Sequence, residues 1–435
     1  MNRRILFVAM QGSIHTVRWM SMIADLGWDL HLFPVNHGPA LEGLKNVTIH
    51  RPFFRVRPRL WLRAFRREGW TALRNLVTLE AEILGSSVRV RPVSGIPIVE
   101  PMERYLGRLW RVRLGESEMR APGPYGPGML ARLARQLEPS LVHSLEFQHA
   151  GYLTLRAKEL SGGEFPPWLA TNWGSDVYFF KRFQDHRDQI SRLLKSIDFY
   201  SCECERDVGE ARELGFSGPV LPVFPNTGGF DLEKVAACRA LLPTSERRLI
   251  VVKGYQHFAG RALMALEALE RCADALRAYE VVVYLAGDEV AARARRLDRE
   301  GVLNIWVAEY LTHDQMLRLY SRARVYLGVS LSDAISTSLL EAMAMGAFPI
   351  QTNTSCCEEW IEDGVGGFVV PPGNVDQIAD RVRRAVTDDD LVDRAAASNW
   401  ATVRERLDAE ILTAKTRALY DEVFQRIDAG GGKPG

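Results

Sequence analysis

Two carboxylates and three hydroxyl side chains lie close together in the last third of the sequence. Asp333 and Glu341 are eight residues apart. The three hydroxyl residues between them, at the predicted start of a short apolar helix, are Ser336, Thr337 and Ser338. Backbone amides at a helix start attract anions, and carboxylates accept hydrogen bonds from sugar and ribose hydroxyls. The segment therefore predicts a site for such a ligand, although Ser338-Leu-Leu-Glu341 also has the pattern of a helix capping box.

Two cations lie at an earlier strand end. Lys253 closes a predicted strand and Arg261 opens the following helix, with Gly254 and Gly260 between them. Two cations at a helix N-terminus suit a diphosphate. The alternative is that both are solvated surface charges, as most lysines and arginines are. Gly287 ends the next strand and is either a further binding residue or part of an ordinary turn.

Polar residues also follow the strands of the N-terminal half. Gly12 and Ser13 come after the first strand and could place backbone amides on an anion or a sugar. The alternative is a tight turn with Ser13 as the N-cap of the next helix. The missing GxGxxG pattern argues against a nicotinamide dehydrogenase.

Three further side chains in this half suggest the wall of a ligand site. His143, Glu146 and His149 lie at and just beyond the end of a strand, where the alternative is a structural histidine. Asp176 follows the next strand and either accepts hydrogen bonds from substrate hydroxyls or caps a helix.

All these candidates follow predicted strands, and the strands alternate with helices. The predicted strands are 4–10, 29–35, 141–143, 168–172 and 198–202, then 249–253, 281–286, 304–307, 325–329 and 348–352. Such alternation is typical of parallel sheets, where ligands lie beyond the carboxyl ends of the strands. The pattern predicts an α/β protein with two doubly wound, Rossmann-like domains. The predicted bounds are 1–222 and 223–401, with a hinge at 222–230 and a final helix at 402–428.

Composition narrows the class of protein further. The chain has 435 residues, 47% of them apolar and 25% charged, with a net charge of +1. These values exclude a disordered, collagen-like or coiled-coil protein and give no reason to expect nucleic-acid binding. No apolar run approaches the ~18 residues of a membrane span, so a cytoplasmic location is expected. The six cysteines lack zinc-finger spacing and are expected to be buried thiols, with no metal site.

A basic segment interrupts the α/β alternation at 51–140. Residues 51–74 contain eight arginines and a single acidic residue, Glu68, with five aromatic residues between them. A second arginine-rich stretch covers 104–113. The segment predicts peripheral contact with an anionic membrane surface, for which the alternative is a solvated basic insertion.

The C-terminal motifs resemble retaining glycosyltransferases of family 4, which have the GT-B fold. The resemblance lies in Asp333-x7-Glu341-Ala-Met-Ala-x-Gly, in Pro349, in Glu359-x-Ile361 and in GGFVVP at 366–371. Looser matches elsewhere are the glycine loop after the first strand and the segments HSLE, WGSD, FPNTGGFD and AEYLTHDQMLRLYSRARVYLGVS. Residues 51–140 match none of the family's motifs. The resemblance implies two Rossmann-like domains facing a central cleft.

It also implies a role for each matched residue. Glu341 would hold the ribose hydroxyls of a nucleotide, and Asp333 the hydroxyls of the transferred sugar. The amides of Ser336 and Thr337 would lie near the sugar and phosphates, and Lys253 and Arg261 would neutralise the diphosphate. Residues expected to complete the nucleotide side are Ser338, Gly12, Ser13, Gly287 and Tyr310; those expected on the acceptor or sugar side are His143, His149 and Asp176.

The sequence departs from the family pattern at three places. Asp333 replaces the first glutamate of the usual Glu-x7-Glu element. Lys253-Gly254 and Gly260-Arg261 replace the usual Gly-Arg and Lys-Gly pair. Leu145 replaces a histidine that commonly precedes the glutamate, which leaves Glu146 and His149 as its substitutes.

The resemblance implies a metal-independent transferase that uses a nucleotide-diphosphate sugar and needs no cofactor. Its acceptor would be a glycan, a lipid-linked molecule or a small molecule. A location at the inner face of the plasma membrane is expected if the basic segment contacts lipid. The alternatives are a sugar-nucleotide epimerase on the same scaffold and a non-enzymatic nucleotide-sugar binder.

Overall fold

The protein forms two compact units. The structure is a computed structural model that describes residues 3–35, 40–51, 54–56, 87–93, 97–99, 126–226, 228–239 and 242–430. The first unit comprises Met1–Cys202, Val208–Gly228 and Thr413–Gly435, and the second Glu203–Asp207 and Gly229–Leu412. This division falls after residue 228, against 222 in the sequence-based one, and it assigns the short segment Glu203–Asp207 to the second unit.

The first unit contains a seven-stranded parallel sheet. Its strands, in chain order, are β1 (Arg4–Ala9), β2 (Asp29–Pro34), β3 (Val47–Arg51), β5 (Val88–Pro92), β7 (Leu141–Leu145), β8 (Trp168–Thr171) and β9 (Phe199–Ser201). Two short strands, β4 (Phe54–Val56) and β6 (Pro97–Val99), pair with each other. The order β5-β3-β2-β1-β7-β8-β9 reverses direction beside β1, as in a doubly wound sheet.

Strand β1 is the centre of this sheet because its side chains are apolar on both faces. Ile5 through Ala9 are fully buried, and β1 pairs in parallel with β2 and with β7. The helices of this unit are α1 (Ile14–Ser21), α2 (Pro127–Leu137), α3 (Tyr152–Leu160), α4 (Gln184–Ser196) and most of α5 (Glu205–Glu213). Strands β3 and β5 are additions to the predicted set.

The second unit contains a six-stranded parallel sheet. Its strands are β10 (Leu249–Lys253), β11 (Glu280–Tyr284), β12 (Asn304–Val307), β13 (Val325–Gly328), β14 (Phe348–Thr352) and β15 (Phe368–Val370). The order β12-β11-β10-β13-β14-β15 changes direction between β10 and β13. At such a point the loops after two neighbouring strands run in opposite directions and leave a crevice at the carboxyl ends of the strands. The loops after β10 and β13 are therefore where a ligand is expected. Strand β15 is absent from the sequence-based prediction.

Helices cover both faces of this sheet. They are α6 (Leu232–Cys238), α7 (Ala262–Arg271), α8 (Asp288–Arg299), α9 (His313–Arg322), α10 (Thr337–Met345), α11 (Val375–Thr387) and α12 (Asp389–Arg406). The core between them is formed by β-branched and leucine side chains of the strands and by small alanines on the helices, such as Ala262, Ala265 and Ala268 of α7.

The predicted single helix over 402–428 is wrong. Helix α12 continues to Arg406, and a new helix, α13 (Ala409–Asp428), begins three residues later. The backbone between them pairs with Phe230, whose N–H donates to Leu407 and whose carbonyl accepts from Ala409. The Asp408 carboxylate then accepts from the Glu410 amide and satisfies the start of α13.

Two predictions from the sequence concern membranes, one on membrane-spanning segments and one on lipid contact by the basic segment. In the part of the chain that the structure describes, no helix is long and apolar enough to cross a bilayer. The arginines proposed to contact lipid, from Arg57 onward within 51–74, and the stretch 104–113 lie outside the described residues.

Candidate functional site

The second unit brings predicted residues together at the carboxyl ends of the neighbouring strands β10 and β13. Lys253 is the last residue of β10, and Gly254 follows it. The Gly254 N–H donates to the Tyr284 carbonyl of β11 at 2.8 Å. A Cβ atom at Gly254 would lie 2.6 Å from that same oxygen, so the chain can turn here only with glycine. This close approach fixes the direction in which Lys253 leaves the strand.

Lys253 contacts two of the other candidate residues. Its Nζ donates to the Ser336 hydroxyl at 3.2 Å and lies 3.8 Å from Asp333 Oδ2. The same ammonium lies 5.1 Å from the centre of the Tyr255 ring, within cation–π range. Burial raises the pKa of Tyr255, and the Asp333 carboxylate adds to this effect. Lys253, Asp333 and Ser336 thus form one cluster, the lysine cluster.

Helix α10 begins at this cluster with its first amides uncapped by any side chain. Ser336 is the N-cap residue, but its hydroxyl accepts from Lys253 rather than from an amide of the helix. The first turn carries no acidic residue. The helix itself is rigidly held, because every side chain from Leu339 to Met345 is buried and Gly346 ends it with φ 79°. An N-terminus with free amides beside an ammonium group is suited to an anion.

Glu341 is not part of a capping box. The N-cap of α10 is Ser336 and not Ser338. Glu341 therefore lies in the second turn of the helix and not at the third helical position, which a capping box requires. Its side chain is 10% exposed, and Oε1 accepts a hydrogen bond from Nε2 of His313 at 2.9 Å. The capping-box alternative is therefore wrong, and the carboxylate belongs to the polar edge of the sheet.

His313 is a residue that the sequence-based prediction missed. It is the first residue of α9, directly after the N-cap Thr312, and follows β12 at the same edge of the sheet. The feature of the sequence that could have identified it is a histidine at the start of a helix that follows a predicted strand. The predicted residue in this loop, Tyr310, is 86% exposed and makes no hydrogen bond within the described ranges.

Three buried tyrosines lie beneath the N-terminus of α10. The Tyr320 hydroxyl donates to that of Tyr284 at 2.8 Å, and the Tyr326 hydroxyl donates to Gln351 Oε1 at 3.3 Å. Burial raises the pKa of all three well above that of an exposed phenol. The floor of the site is consequently polar and uncharged, so Lys253, Asp333 and Glu341 supply its charge.

Arg261 opens α7 as predicted, but its side chain binds its own loop. Nη1 donates to the carbonyls of His257 and Gly260, each at 2.7 Å. The His257 ring accepts from the Ala259 amide at 3.1 Å, and its pKa is lowered by burial and by the neighbouring Lys253 and Arg261. Arg261 therefore braces the loop after β10 in this structure and makes no hydrogen bond to the lysine cluster.

Gly287 is the N-cap of α8 at the end of β11. A Cβ atom at this position would meet no atom within 4 Å, so the fold does not require glycine here. Nothing in its surroundings joins it to the lysine cluster.

Arg206 supports Asp333 from the segment Glu203–Asp207 and was also missed. Its guanidinium donates to the backbone carbonyls of Asp333 at 2.9 Å and Thr354 at 3.1 Å. The Asp333 amide in turn donates to the Thr354 carbonyl at 3.2 Å. These bonds fix the backbone of the loop from which the Asp333 carboxylate projects.

Among the described residues, one cluster contains three side chains of the kinds that bind metal ions. Cys204, Cys356 and Glu359 place their ligand atoms within 4.8 Å of one another, and the two sulfurs are 3.0 Å apart. This group includes neither Asp333 nor Glu341. Five of the six cysteines are buried, as expected, and Cys238 is half-buried.

In the first unit, Glu146 has an unusual backbone conformation at the end of β7. Its φ of 80° is rare for a non-glycine residue. The buried carboxylate accepts from the amides of His149 and Ala150 and lies 3.0 Å from the His149 ring nitrogen Nδ1, which closes one turn of π-helix at Phe147–Gly151. A strained residue at a carboxyl strand end is typical of functional sites.

Asp176 and Ser13 have the alternative, structural roles. The buried Asp176 carboxylate accepts from the amides of Phe147 at 2.9 Å and Trp173 at 2.7 Å. Ser13 is the N-cap of α1 and accepts from the His15 amide, with Gly12 in the turn before it. The Asp176 carboxylate and the Ser13 hydroxyl thus satisfy nearby backbone amides.

The prediction that His143 lines a ligand site is wrong. Its ring is fully buried, with Nδ1 at 2.7 Å from the Tyr420 hydroxyl and Nε2 at 2.8 Å from the Thr171 hydroxyl. Burial lowers the pKa of His143 to about 3, so the ring is neutral. Both nitrogens are occupied in the core, which leaves none for a sugar.

Comparison with known proteins supports the fold and finds a family match within the second unit. Residues 247–388 match the family described as Glycosyl transferases group 1. A search of curated protein sequences gives no significant match.

Solved structures match over nearly the whole chain. Anabaena Alr3699/HepE in complex with UDP-glucose has a TM-score of 0.63 at 14% identity, covering 96% of this chain and 99% of its own. Sucrose-phosphate synthase from Thermosynechococcus elongatus has a TM-score of 0.63 at 14% identity, covering 97% and 99%. The α,α-trehalose 6-phosphate synthase from Burkholderia multivorans has a TM-score of 0.62 at 14% identity, covering 99% and 100%. Together with the two doubly wound parallel sheets, these matches give the chain the GT-B fold, and its residues 247–388 are similar to the glycosyl transferases group 1 family.

Proposed function

We propose that the protein is a retaining glycosyltransferase that moves a sugar from a nucleotide-diphosphate sugar to an acceptor. The observation that carries the proposal is the lysine cluster at the uncapped N-terminus of α10, with the Glu341 carboxylate in the next turn. A nucleotide-diphosphate sugar offers two phosphates and two sets of hydroxyls. The site offers a cation and free amides for the former and two carboxylates for the latter.

The donor is proposed to bind along this edge of the second sheet. Glu341 accepts from the ribose hydroxyls, the amides of Thr337 and Ser338 and the Lys253 ammonium bind the diphosphate, and Asp333 accepts from hydroxyls of the transferred sugar. Lys253 already contacts both Ser336 and Asp333, so it needs no large movement to meet a phosphate.

Catalysis is proposed to depend on stabilising the departing diphosphate. Negative charge grows on the diphosphate oxygen as the bond to the sugar carbon breaks. A fixed ammonium and a helix N-terminus stabilise that charge without rearranging, and one such donor typically contributes ~2.7–4 kcal/mol. We therefore propose that the reaction needs no metal ion and no cofactor, and that the diphosphate itself accepts the proton of the acceptor hydroxyl.

Arg261 has a secondary place in this proposal. A guanidinium that donates to two carbonyls of its own loop can reach a phosphate only by giving up those bonds. Its positive charge still contributes to the potential of the site over a few ångströms.

The transferred group is proposed to be a hexosyl or N-acetylhexosaminyl unit, for glycan, polysaccharide or glycolipid synthesis in the cytoplasm. UDP-sugars are the first donors to test, because the Anabaena structure holds UDP-glucose. A trehalose-phosphate synthase from Burkholderia xenovorans, with a TM-score of 0.57 and 13% identity, holds glucose-6-phosphate, so phosphorylated sugars are among the acceptors to test. Peripheral membrane contact through 51–74 remains a proposal that would admit a lipid-linked acceptor.

The test is a screen of UDP-, GDP- and ADP-sugars with acceptors of each class. Release of the nucleoside diphosphate together with a glycosylated product of retained anomeric configuration supports the proposal. A new sugar epimer in the nucleotide pool would instead identify an epimerase, and tight binding without turnover would identify a binding protein. Products are read by mass spectrometry and by the anomeric NMR coupling.

A further inference from the structure

Glu341 and His313 form a pair across two helices of the second unit. His313 Nε2 and Glu341 Oε1 are 2.9 Å apart. A carboxylate oxygen can only accept, so Nε2 is the ring nitrogen that carries the hydrogen. Glu341 makes no other hydrogen bond to a described residue, which leaves Oε2 open.

The two members of the pair differ in exposure. The Glu341 side chain is 10% exposed, whereas that of His313 is 45% exposed. A largely buried carboxylate without a partner is costly, and one hydrogen bond from an imidazole lowers that cost. The imidazole also restricts the carboxylate, since a bond to Oε1 selects one orientation of the side chain.

The backbone holds His313 in place independently of Glu341. Helix α9 begins with a complete capping box, in which the Thr312 hydroxyl accepts from the Gln315 amide and the Gln315 side chain accepts from the Thr312 amide. Leu317 and Tyr320 bury the inner face of the same helix. The His313 side chain is therefore not needed to stabilise the start of α9, and the capped helix holds its ring in a fixed position.

We infer that His313 is a positioning residue for ribose recognition, which presents the Glu341 carboxylate to the ribose hydroxyls of the nucleotide. This inference rests on the proposed function and adds to it a residue and a ligand feature. His313 binds Oε1, so the open Oε2 accepts from one hydroxyl of the ribose diol, and the second lone pair of Oε1 accepts from the other. A nucleotide without those hydroxyls gains nothing from the pair, and discrimination between ribose and dideoxyribose depends on His313.

The experiment measures UDP and 2′,3′-dideoxy-UDP affinities by calorimetry for the full chain and for His313→Ala. The expected result is about a tenfold loss of UDP affinity, as for one weakened hydrogen bond to a charged group, with dideoxy-UDP affinity unchanged. His313→Gln, whose amide can also donate, should recover most of the lost UDP affinity. In a Glu341→Ala background, His313→Ala should have little further effect, because no carboxylate remains for the imidazole to orient.

Gln315→Ala is the matched control. It removes one bond of the same capping box from an exposed position of α9 and leaves the Glu341–His313 contact intact. It should lower the melting temperature slightly and leave the ratio of UDP to dideoxy-UDP affinity unchanged.

The outcomes separate the inference from the proposed function. The positioning role would be overturned if His313→Ala lowered the affinities for UDP and dideoxy-UDP equally. It would also be overturned if Gln315→Ala changed the ratio of the two affinities as much as His313→Ala does. In both cases nucleotide binding itself would still be established. Binding of none of UDP, GDP and ADP by the unaltered protein would overturn both.

Discussion

The Lys253 ammonium donates to the Ser336 hydroxyl at 3.2 Å, joining the end of β10 to the N-cap of α10. Ser336 would ordinarily cap the helix with this hydroxyl. Because the hydroxyl binds Lys253 instead, one bond both positions the cation and leaves the first amides of α10 available. The proposed binding of a diphosphate rests on this arrangement.

Lys253→Met should therefore weaken diphosphate binding selectively. The side chains are similar in length, so the cavity change is small while the charge is lost. We expect a 10- to 150-fold loss of UDP affinity, the range for removal of a charged hydrogen bond, and no change for uridine, which has no phosphate. Calorimetry with both ligands checks this, and Lys253→Arg should be the milder variant. Parallel losses for UDP and uridine would show that Lys253 shapes the site without binding phosphate.

Glu341→Gln should separate ribose binding from helix stability. The Gln carbonyl oxygen can still accept from His313, and no capping bond is lost, so the melting temperature should change little. The amide NH2 faces a ribose hydroxyl unfavourably, so UDP affinity should fall by roughly tenfold or more. A thermal melt and a UDP titration on the same sample check both parts. Unchanged UDP affinity would remove Glu341 from the nucleotide site.

The sequence predicted this site largely because its residues follow apolar strands. Strands β10, β12 and β14 were predicted with their observed bounds. Strands β10 and β14 are buried on both faces and therefore appear as continuous apolar runs, whereas β12 is a partly exposed edge strand. Strands β3 and β5 contain Thr48, His50 and Arg89 among their valines, so the apolar run is broken and no strand was predicted.

Contacts between distant segments were the part that sequence patterns could not supply. The Ser336 hydroxyl at the start of α10 accepts from Lys253, which is 83 residues away. The partnership of Glu341 with His313 and the support of Asp333 by Arg206 likewise depend on the sheet order. His143 was misassigned because a histidine at a strand end looks the same in sequence whether it faces solvent or the core.

Chelation should leave the activity intact. The proposed leaving-group stabilisation uses Lys253 and helix amides, so excess EDTA should change neither the transfer rate nor UDP affinity. The assay is sugar transfer with the donor identified in the screen, before and after chelation. A loss that Mg²⁺ or Mn²⁺ restores would overturn this account. A fall in melting temperature at constant activity would point to the Cys204, Cys356 and Glu359 group, which contains neither Asp333 nor Glu341.

Acid should destabilise the first unit through its buried neutral histidines. Burial lowers the pKa of His143 to about 3, and that of His50 likewise to about 3, from an ordinary 6.5. Below pH 6.5 the unfolded chain takes up protons that the folded chain refuses, so stability falls as the pH drops from 6.5 toward 3. Each such group contributes up to about 1.4 kcal/mol per pH unit in that window.

Urea unfolding at several values between pH 7 and pH 4 measures this slope. His143→Gln, which retains hydrogen-bonding groups but cannot be protonated, should be less stable at pH 7 and show a shallower slope. A slope unchanged by His143→Gln would place the acid sensitivity elsewhere.

Gly254→Ala and Gly287→Ala should differ sharply, although each glycine follows a strand of the second sheet. A Cβ at Gly254 would lie 2.6 Å from the Tyr284 carbonyl and 2.9 Å from Ala286 Cα, and backbone atoms cannot move aside as a side chain can. Such overpacking typically costs about 1–3 kcal/mol, and the displaced strand end would carry Lys253 away from Ser336. A Cβ at Gly287 would meet no atom within 4 Å, and its φ of −74° suits alanine. Gly254→Ala should thus lower both the melting temperature and UDP affinity, whereas Gly287→Ala should change neither. If Gly287→Ala alone abolished UDP binding, the nucleotide would have to approach the end of β11 more closely than the lysine cluster implies.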